Sequence, residues 1–396
     1  MRYDYFLKKH FPSPKEQKWA GEGFTLAVEN GKVVSDKDYV ICLEKDPNKD
    51  FVILNLTDIQ LRLPELRLDA DCVAIAEKTI RKLVKKAKPD LITVTGDQGF
   101  GDRTEILRVG GMIDRFGIPW APVFGNADNR ADEGLPTAQQ TFLYENAFKN
   151  CLLKAGPSDL AYLVDGQTRY GNYVVNIVER GKKDSFTVVR SLIFMNSGDE
   201  EPYDDADYPG QERANKDEYS HLTARQLEWY RVMVRSAQKY GNGKVSSSLF
   251  LHIPIYAYND AYKAAKNENG EWNPGYEDSV GEVREVSGTP PYDDGVLAVL
   301  KEEGSTDFII CGHDHRNNYI VKHDGITYCY GLKTGKGCYW DKDMSGGTVV
   351  TIKKDGAVSA RHEYCPVKVI GIPRWIYPAA ALLGAAIIGL LIGLLS

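Results

Sequence analysis

The hydrophobic positions of the chain form short continuous apolar runs separated by longer stretches in which apolar residues recur at helical spacing. Residues 51–56 (FVILNL) have the length of a buried strand, and residues 72–86 (CVAIAEKTIRKLVKK) follow with a helical pattern. Residues 91–95 (LITVT) again indicate a strand, residues 105–116 a helix and residues 120–124 a strand. This repeat of strand, helix and strand predicts a layered α/β sheet.

The second half of the chain continues the pattern. Strands are predicted at residues 173–178, 186–196, 247–251 and 308–311, with an amphipathic helix at 223–240. Antiparallel strands that close the fold are predicted at 319–321, 327–330, 348–352 and 358–363. The polar segments 199–217 and 267–288 are either solvated surface loops or functional lids, since long loops in compact domains are often functional.

Composition and charge exclude several classes of protein. The net charge of −6 and the pI near 5.8 argue against a nucleic-acid partner, which would require a basic surface. The seven cysteines are scattered and form no CxxC pair, which favours a reducing compartment over a disulfide scaffold or a zinc ribbon.

The end of the chain predicts a membrane anchor. Residues 376–395 (IYPAAALLGAAIIGLLIGLL) carry no charge, and about 20 such residues are enough to cross a bilayer as a helix, although a buried core helix is the alternative. Lys368 and Arg374 precede this stretch, so the positive-inside rule places the preceding residues in the cytoplasm. We therefore expect a single-pass membrane protein with a cytoplasmic domain.

The residues that follow the apolar strands are those that metals favour. The expected ligands at five successive strand ends are Asp58, Asp97, Asn126, His252, and the pair His313 and His315. In open α/β sheets, ligands collect beyond the carboxyl ends of the strands, so these side chains should converge. Carboxylate, amide and imidazole groups suit a pair of hard metal ions better than thiolates do, and such a pair can clamp a phosphate.

The order of these motifs resembles the calcineurin-like metallophosphoesterase superfamily. The motifs are LTD at Asp58, TGDQ at Asp97, FGNAD at Asn126, LHIP at His252 and CGHDH at His313. The stretches GDQGFGD, HLTARQLEWY, LHIPIYAY and YGLKTGKGCY are similar to the purple-acid-phosphatase-like branch. The resemblance implies an α/β fold, a four-layer β-sandwich flanked by helices, here with the C-terminal transmembrane helix added.

The resemblance also implies where two metals bind. Asp58, Asp97 and His315 would hold the first metal, and Asp97, Asn126, His252 and His313 would hold the second. Gln60 stands where many relatives carry a ligating histidine, and its carboxamide oxygen makes it a further candidate ligand. The metals would be two divalent or trivalent ions, and Mn, Fe and Zn all suit this mixed ligand set.

The third motif departs from the usual Gly-Asn-His-Asp/Glu, because Ala127 stands where relatives carry a histidine. That histidine donates to the phosphate or protonates the leaving group, and general-acid assistance is worth about 10² to 10⁴ in rate. Asp128 remains to orient its neighbours, and Arg130 could reach a phosphate oxygen. We take Asp128 and Arg130 as the candidate catalytic residues.

Two functions remain open at this point. The first is a metallophosphoesterase, fully active or impaired, that hydrolyses phosphate esters with a hydroxide held by two metals. The alternative is a degenerate member of the family that binds a phosphorylated ligand with little turnover. The class of phosphorylated substrate is not readable from the sequence.

The chain is expected to divide into three parts: an N-terminal extension with short strands (1–50), the metallophosphoesterase domain (51–365) and the C-terminal anchor (366–396).

Overall fold

The computed structural model describes residues 22–61, 70–130, 134–161 and 169–366. The strands are β1 (Leu26–Glu29), β2 (Lys32–Ser35), β3 (Val40–Glu44), β4 (Phe51–Leu56), β5 (Leu91–Thr95), β6 (Trp120–Val123), β7 (Tyr173–Arg180), β8 (Phe186–Phe194), β9 (Ser246–Phe250), β10 (Thr306–Cys311), β11 (Ile320–His323), β12 (Ile326–Tyr330), β13 (Gly346–Ile352) and β14 (Val358–Tyr364). The helices are α1 (Ala70–Ala87), α2 (Arg103–Asp114), α3 (Asn126–Asn129), α4 (Thr137–Ala147), α5 (Ser158–Ala161), α6 (Ala224–Gln238), α7 (Ala257–Ala265) and α8 (Val296–Glu303).

Two mixed sheets form the centre of the molecule. One has five strands in the order β14-β13-β4-β5-β6, and the other has seven in the order β11-β12-β10-β9-β8-β7-β3. Strands β4, β5 and β6 run parallel, as do β8, β9, β10 and β12. The carboxyl ends of neighbouring strands therefore lie at a common edge of each sheet, and β1 and β2 form a separate hairpin.

The two sheets share one hydrophobic core, and helices pack on both of them. Helix α1 packs on β4 and β13 of the five-stranded sheet, whereas α6 packs on β8 and α8 on β10 of the seven-stranded sheet. The Tyr173 hydroxyl of β7 donates to the Pro122 carbonyl of β6 at 2.6 Å, which ties one sheet to the other. This sheet-rich mixed α/β architecture fits the predicted sandwich.

Local sequence explains why the main elements form where they do. Strand β5 (LITVT) is buried along its whole length, as expected for a parallel strand covered on both faces. Helix α2 begins where the Asp102 side chain accepts from the Thr104 and Glu105 backbone N–H groups. Helix α6 begins with a capping box formed by Thr223 and Gln226.

Periodicity locates most strands but misses five of the eight helices that the structure describes, of which α3 and α5 have four residues each. Helices α4, α7 and α8 were not predicted, and α4 (TAQQTFLYENA) has no clear apolar face along its eleven residues. A further difference concerns β12, which pairs antiparallel with β11 but parallel with β10. The predicted closing strands are therefore only in part an antiparallel set.

The membrane predictions require correction. Within residues 22–61, 70–130, 134–161 and 169–366, no helix combines the length and apolar character that a membrane crossing needs. This finding corrects two predictions. One is the transmembrane helix as part of the fold class, and the other is the single-pass membrane localisation with a cytoplasmic domain. Residues 376–395, where that helix was expected, lie outside the described residues.

Candidate metal centre

The predicted ligands come from the carboxyl ends of strands in both sheets. Asp58, Asp97 and Asn126 follow β4, β5 and β6, whereas His252 and His313 follow β9 and β10. The His252 imidazole Nδ1 lies 2.8 Å from the Thr95 carbonyl of β5, so a hydrogen bond joins the two sheets at the site. Atoms of Asp58, Asp97 and His252 lie within 4.8 Å of one another in a buried group that could hold a metal ion.

The backbone of this site adopts unusual conformations. Asp58, Asp97 and His313 have φ values of 49°, 49° and 76°, which lie in the left-handed region that side chains other than glycine rarely adopt. Such conformations cost about 1–3 kcal/mol each and cluster at functional sites. Gly96 also has a positive φ of 85°, and a Cβ there would lie 2.5 Å from His252 Nδ1, so only glycine fits.

One group of ligands, which we call the His252 half, consists of Asn126, His252 and His313. Asn126 Oδ1 lies 3.0 Å from His252 Nε2 and 3.0 Å from His313 Nδ1, and these two ring nitrogens are 3.3 Å apart. Asp97 Oδ1 lies 3.3 Å from His252 Nε2. Three polar side chains therefore aim their ligand atoms at the same point beside Asp97.

The other group, the Asp58 half, consists of Asp58 and His315. Asp58 Oδ2 accepts hydrogen bonds from the Thr57 hydroxyl at 2.7 Å and from the His313 backbone N–H at 3.1 Å. Asp58 Oδ1 is buried and has no hydrogen-bond donor among the residues that the structure describes, and it lies 3.3 Å from His315 Nε2.

The donor set fits a bound cation in both halves. His252 Nδ1 lies beside the Thr95 carbonyl and His315 Nδ1 lies 2.7 Å from the Tyr339 carbonyl, so each Nδ1 carries the proton. In the neutral rings, each Nε2 then presents a lone pair toward a carboxylate, His252 toward Asp97 and His315 toward Asp58. A cation placed there could be held by both the imidazole nitrogen and the carboxylate, and the carbonyl contacts are those that orient metal-binding histidines.

The charges of the site shift the pKa values of its members in opposite directions. Burial lowers the pKa of His252, but the negative charges of Asp97 and Asp58 raise it, and the net direction is upward. Burial and the neighbouring His252 lower the pKa of His313 well below its ordinary value. Burial raises the pKa of Asp58, but the adjacent His315 and the charge of His252 outweigh it and hold that pKa below the ordinary range.

The Gln60 side chain lines the cavity and is hydrogen-bonded through both ends of its amide. Its amide Nε2 donates to Asp97 Oδ2 at 2.9 Å, and its Oε1 accepts from the Lys333 ammonium at 2.7 Å. The Gln60 oxygen is therefore already hydrogen-bonded. Lys333 is buried, and burial lowers its pKa to about 8.

Some residues of the GNAD motif line the cavity of the site, whereas Asp128 is buried behind it. Asp128 is buried, and its carboxylate accepts from the backbone N–H groups of Gly125 at 2.9 Å and Gln98 at 3.2 Å. Burial and the charge of Asp97 raise the pKa of Asp128 to about 7. The Ala127 N–H donates to Asp97 Oδ1 at 3.0 Å, and the Ala127 methyl faces the cavity. Asp128 thus holds two loops together and does not line the cavity.

A cavity of about 300 Å³ opens over the metal centre. Arg130 lines it, with Nη2 donating to Glu200 at 3.3 Å and Nε lying 3.5 Å from Asp199. Both polar segments noted in the sequence contribute to the wall, through Asp217 from the first and Glu285 from the second. The segments thus border the site.

Sequence reasoning missed three residues around the ligands. Tyr219 packs edge-on against His313 with ring centroids 4.2 Å apart, and Tyr339 stacks on His315 at 4.1 Å. The third is Lys333, which begins the KTGKG segment. The glycines of this segment indicate a tight turn, and a Cβ on Gly337 would lie 1.7 Å from the Gln60 carbonyl, so the segment packs closely on the Gln60 backbone. Tyr339 and Lys333 both lie in the YGLKTGKGCY stretch, which could have indicated them, whereas no periodic or motif signal marks Tyr219.

Two curated relatives indicate what this chain is similar to. It is 28% identical over 327 residues to Phosphatase DCR2 of Saccharomyces cerevisiae, an alignment that covers 77% of this chain and 51% of the relative. It is 26% identical over 272 residues to Probable inactive purple acid phosphatase 28 of Arabidopsis thaliana, covering 66% of this chain and 62% of the relative. The chain thus spans about half to three fifths of the length of these relatives.

Among solved structures, a dimetal phosphatase from Danio rerio is similar over 80% of this chain and 100% of its own, with 12% identity and a TM-score of 0.44. A similarity of this size gives no information about the function of this chain.

The family is established by sequence. The model of the calcineurin-like phosphoesterase family matches residues 51–317, which is more than half of the chain. This match confirms the resemblance indicated by the strand-end motifs, and the Arabidopsis relative agrees with the purple-acid-phosphatase-like branch. The chain belongs to the calcineurin-like phosphoesterase family.

Proposed function

We propose that this chain is a metal-dependent phosphoesterase that uses two metal ions to hydrolyse a phosphate ester. The observation that carries the proposal is the convergence of six ligand side chains at the carboxyl ends of five strands. These are Asp58, Asp97, Asn126, His252, His313 and His315, and all six are buried beneath one cavity. When bound, two metal ions in such a site lower the pKa of coordinated water and stabilise the charge that develops on phosphate oxygens.

The chain's own residues supply orientation and charge. Asp97 lies between the two halves, with Oδ1 beside His252 and Oδ2 held by Gln60. Arg130 lies on the cavity wall, where its guanidinium can donate to a phosphate oxygen with the geometry that favours phosphate recognition. Deep burial of Asp97 strengthens its electrostatic interactions because the local dielectric constant is low.

The second candidate is a phosphate-binding protein of the same fold with little turnover. It is favoured by Ala127, whose methyl group cannot donate a proton at the place where relatives carry a histidine. Because general-acid assistance is worth about 10² to 10⁴ in rate, esters with poor leaving groups would be affected most. The printed name of the Arabidopsis relative also describes that protein as probably inactive.

Hydrolysis of 4-nitrophenyl phosphate by the full chain with Mn²⁺ separates the two candidates. This ester needs little protonation of its leaving group, so Ala127 should be least harmful there. We expect turnover that Asp97→Asn abolishes, whereas Asp278→Asn, the same change at an exposed position, retains it. Metal binding without turnover by the unmodified chain would contradict the phosphoesterase and favour the binding protein.

Ala127→His then tests whether the missing proton donor limits hydrolysis of less reactive esters. We expect hydrolysis of an alkyl phosphate to rise by about 10² or more while hydrolysis of 4-nitrophenyl phosphate changes little. An equal change for both esters would show that the missing proton donor does not limit the rate.

A further inference from the structure

Lys333 is a buried cation directly beneath the Asp58 half of the metal centre. Only 2% of its surface is exposed. Its ammonium donates to the Asp58 backbone carbonyl at 3.0 Å and to the Gln60 side-chain oxygen at 2.7 Å. A buried lysine is rare unless it is paired, and Lys333 has these two oxygens as partners.

The orientation of the Gln60 amide follows from the chemistry of its two neighbours. A lysine ammonium can only donate hydrogen bonds and an ionised carboxylate can only accept them. The Gln60 oxygen must therefore face Lys333, and its NH₂ group must face Asp97 Oδ2, which it reaches at 2.9 Å. The hydrogen bond from Lys333 thus holds one of the two lone pairs of the Gln60 oxygen, and the hydrogen bond to Asp97 holds its NH₂ group.

Backbone hydrogen bonds hold both Lys333 and Gln60 in position. The Lys333 carbonyl accepts from the Gly346 N–H at 2.9 Å, and the Thr334 N–H donates to the Thr57 carbonyl at 2.8 Å. At the other end, the Gln60 N–H donates to the Asp97 carbonyl at 2.9 Å. A rotation of Gln60 toward the metal centre would leave the Lys333 ammonium without its side-chain acceptor, which is costly for a buried charge.

The two halves consequently offer different numbers of ligands. The His252 half presents one amide oxygen and two imidazole nitrogens within 3.0–3.3 Å of one another. The Asp58 half presents one carboxylate oxygen and one imidazole nitrogen, 3.3 Å apart. Asp97 is common to both, and the cation of Lys333 lies on the side with fewer ligands.

We propose that Lys333 and Gln60 act as a positioning pair that makes the two metal positions unequal, with a tight one in the His252 half and a weak one in the Asp58 half. The pair orients Asp97 toward the His252 half and withholds the Gln60 oxygen from the Asp58 half. The inference rests on the proposed function only in assuming that there are two metal positions. Its consequence is that the metal concentration around the protein determines whether the weak position is occupied.

Titration of metal-free full-length protein with Mn²⁺, followed by electron paramagnetic resonance, tests this proposal. The free ion and the single-ion and two-ion bound forms have different signals, so the measurement counts each position without relying on activity. For the unmodified chain we expect two dissociation constants that differ by at least about tenfold, the lower limit of the 10- to 100-fold range typical of outer-ligand effects.

Two variants change the pair from opposite ends. Lys333→Met removes the cation and frees the Gln60 oxygen, and Gln60→His places an imidazole beside the Asp58 half. Each is expected to tighten the weak position by about tenfold or more while the tight position changes less than about threefold. Lys322→Met, the same change at an exposed lysine of β11, should leave both constants unchanged.

The outcomes separate this inference from the proposed function. Equal affinities in the unmodified chain, or variants that weaken both positions together, overturn the inference, and Gln60→His carries the test if Lys333→Met does not fold. Unequal binding without hydrolysis of any ester overturns the phosphoesterase but supports the pair. Failure to bind Mn²⁺ at all overturns both.

Discussion

The His252 half and the Asp58 half of the metal centre use similar residue types but are constructed differently. In the His252 half, Asn126 comes from the five-stranded sheet and His252 and His313 come from the seven-stranded sheet, so closure of the sandwich assembles the ligands. The Asp58 half also joins the two sheets, since Asp58 follows β4 and His315 comes after β10, but it consists of this pair alone, and the neighbouring Gln60 amide is hydrogen-bonded to Lys333. The comparison teaches that five family motifs in the expected order do not imply two equivalent metal positions.

Replacing His252 or His315, one histidine from each half, should give the largest expected difference in Mn²⁺ binding. His252→Ala should weaken the tight Mn²⁺ position by about 100-fold or more and reduce hydrolysis of 4-nitrophenyl phosphate to the Asp97→Asn background. His315→Ala should keep one tightly bound Mn²⁺ per chain and lose the second. Metal content after gel filtration measures both, and loss of the tight ion in His315→Ala would contradict the comparison.

How far the sequence predicts these halves depends on how local each feature is. Asp58, Asp97, Asn126, His252 and His313 each follow an apolar run. The rule that parallel strands end at one edge places the first three at the edge of one sheet and the two histidines at the edge of the other, and packing of the two sheets then brings both sets together. The surroundings of Gln60 could not be predicted, because its partner Lys333 lies 273 positions away in the sequence and no pattern joins them. The motif identified the position of Gln60 but not the direction of its amide.

The fold likewise contains some elements that the local sequence predicts and others that depend on distant residues. Buried strands such as β4 and β5 are visible as continuous apolar runs, and their observed bounds equal the predicted ones. Helix α4 carries no periodic apolar face, since its contacts with α2 and the metal-site loops are set by tertiary packing. The order of strands within each sheet depends on long-range pairing, which hydrophobic periodicity does not reveal.

Asp128 should affect stability more than chemistry. Its carboxylate accepts backbone N–H groups from the loops after β5 and β6, which carry Asp97 and Asn126. Asp128→Asn turns one acceptor into a donor and should lower the free energy of unfolding by about 1–3 kcal/mol, as measured by chemical denaturation with the metals removed. Asp278→Asn is the exposed control. A stable variant with unchanged metal binding and no turnover would instead assign Asp128 a direct catalytic role.

Replacing Arg130 should have the smallest effect on activity, because Arg130 lines the cavity and is not one of the expected metal ligands. Arg130→Ala should raise KM for 4-nitrophenyl phosphate by about tenfold, the loss of one charge-assisted hydrogen bond, with both Mn²⁺ constants unchanged. Arg361→Ala, on the edge strand β14, is the matched control. An altered Mn²⁺ constant in Arg130→Ala would show that this residue organises the ligands rather than the substrate.

Anomalous diffraction from crystals of the full chain equilibrated with Mn²⁺ at two concentrations is the most direct test of unequal halves. At the lower concentration we expect one anomalous peak, beside His252 and His313. A second peak beside Asp58 and His315 should reach comparable height only at a concentration about tenfold higher. Two peaks of equal height at the lower concentration, or a first peak beside His315, would contradict the account.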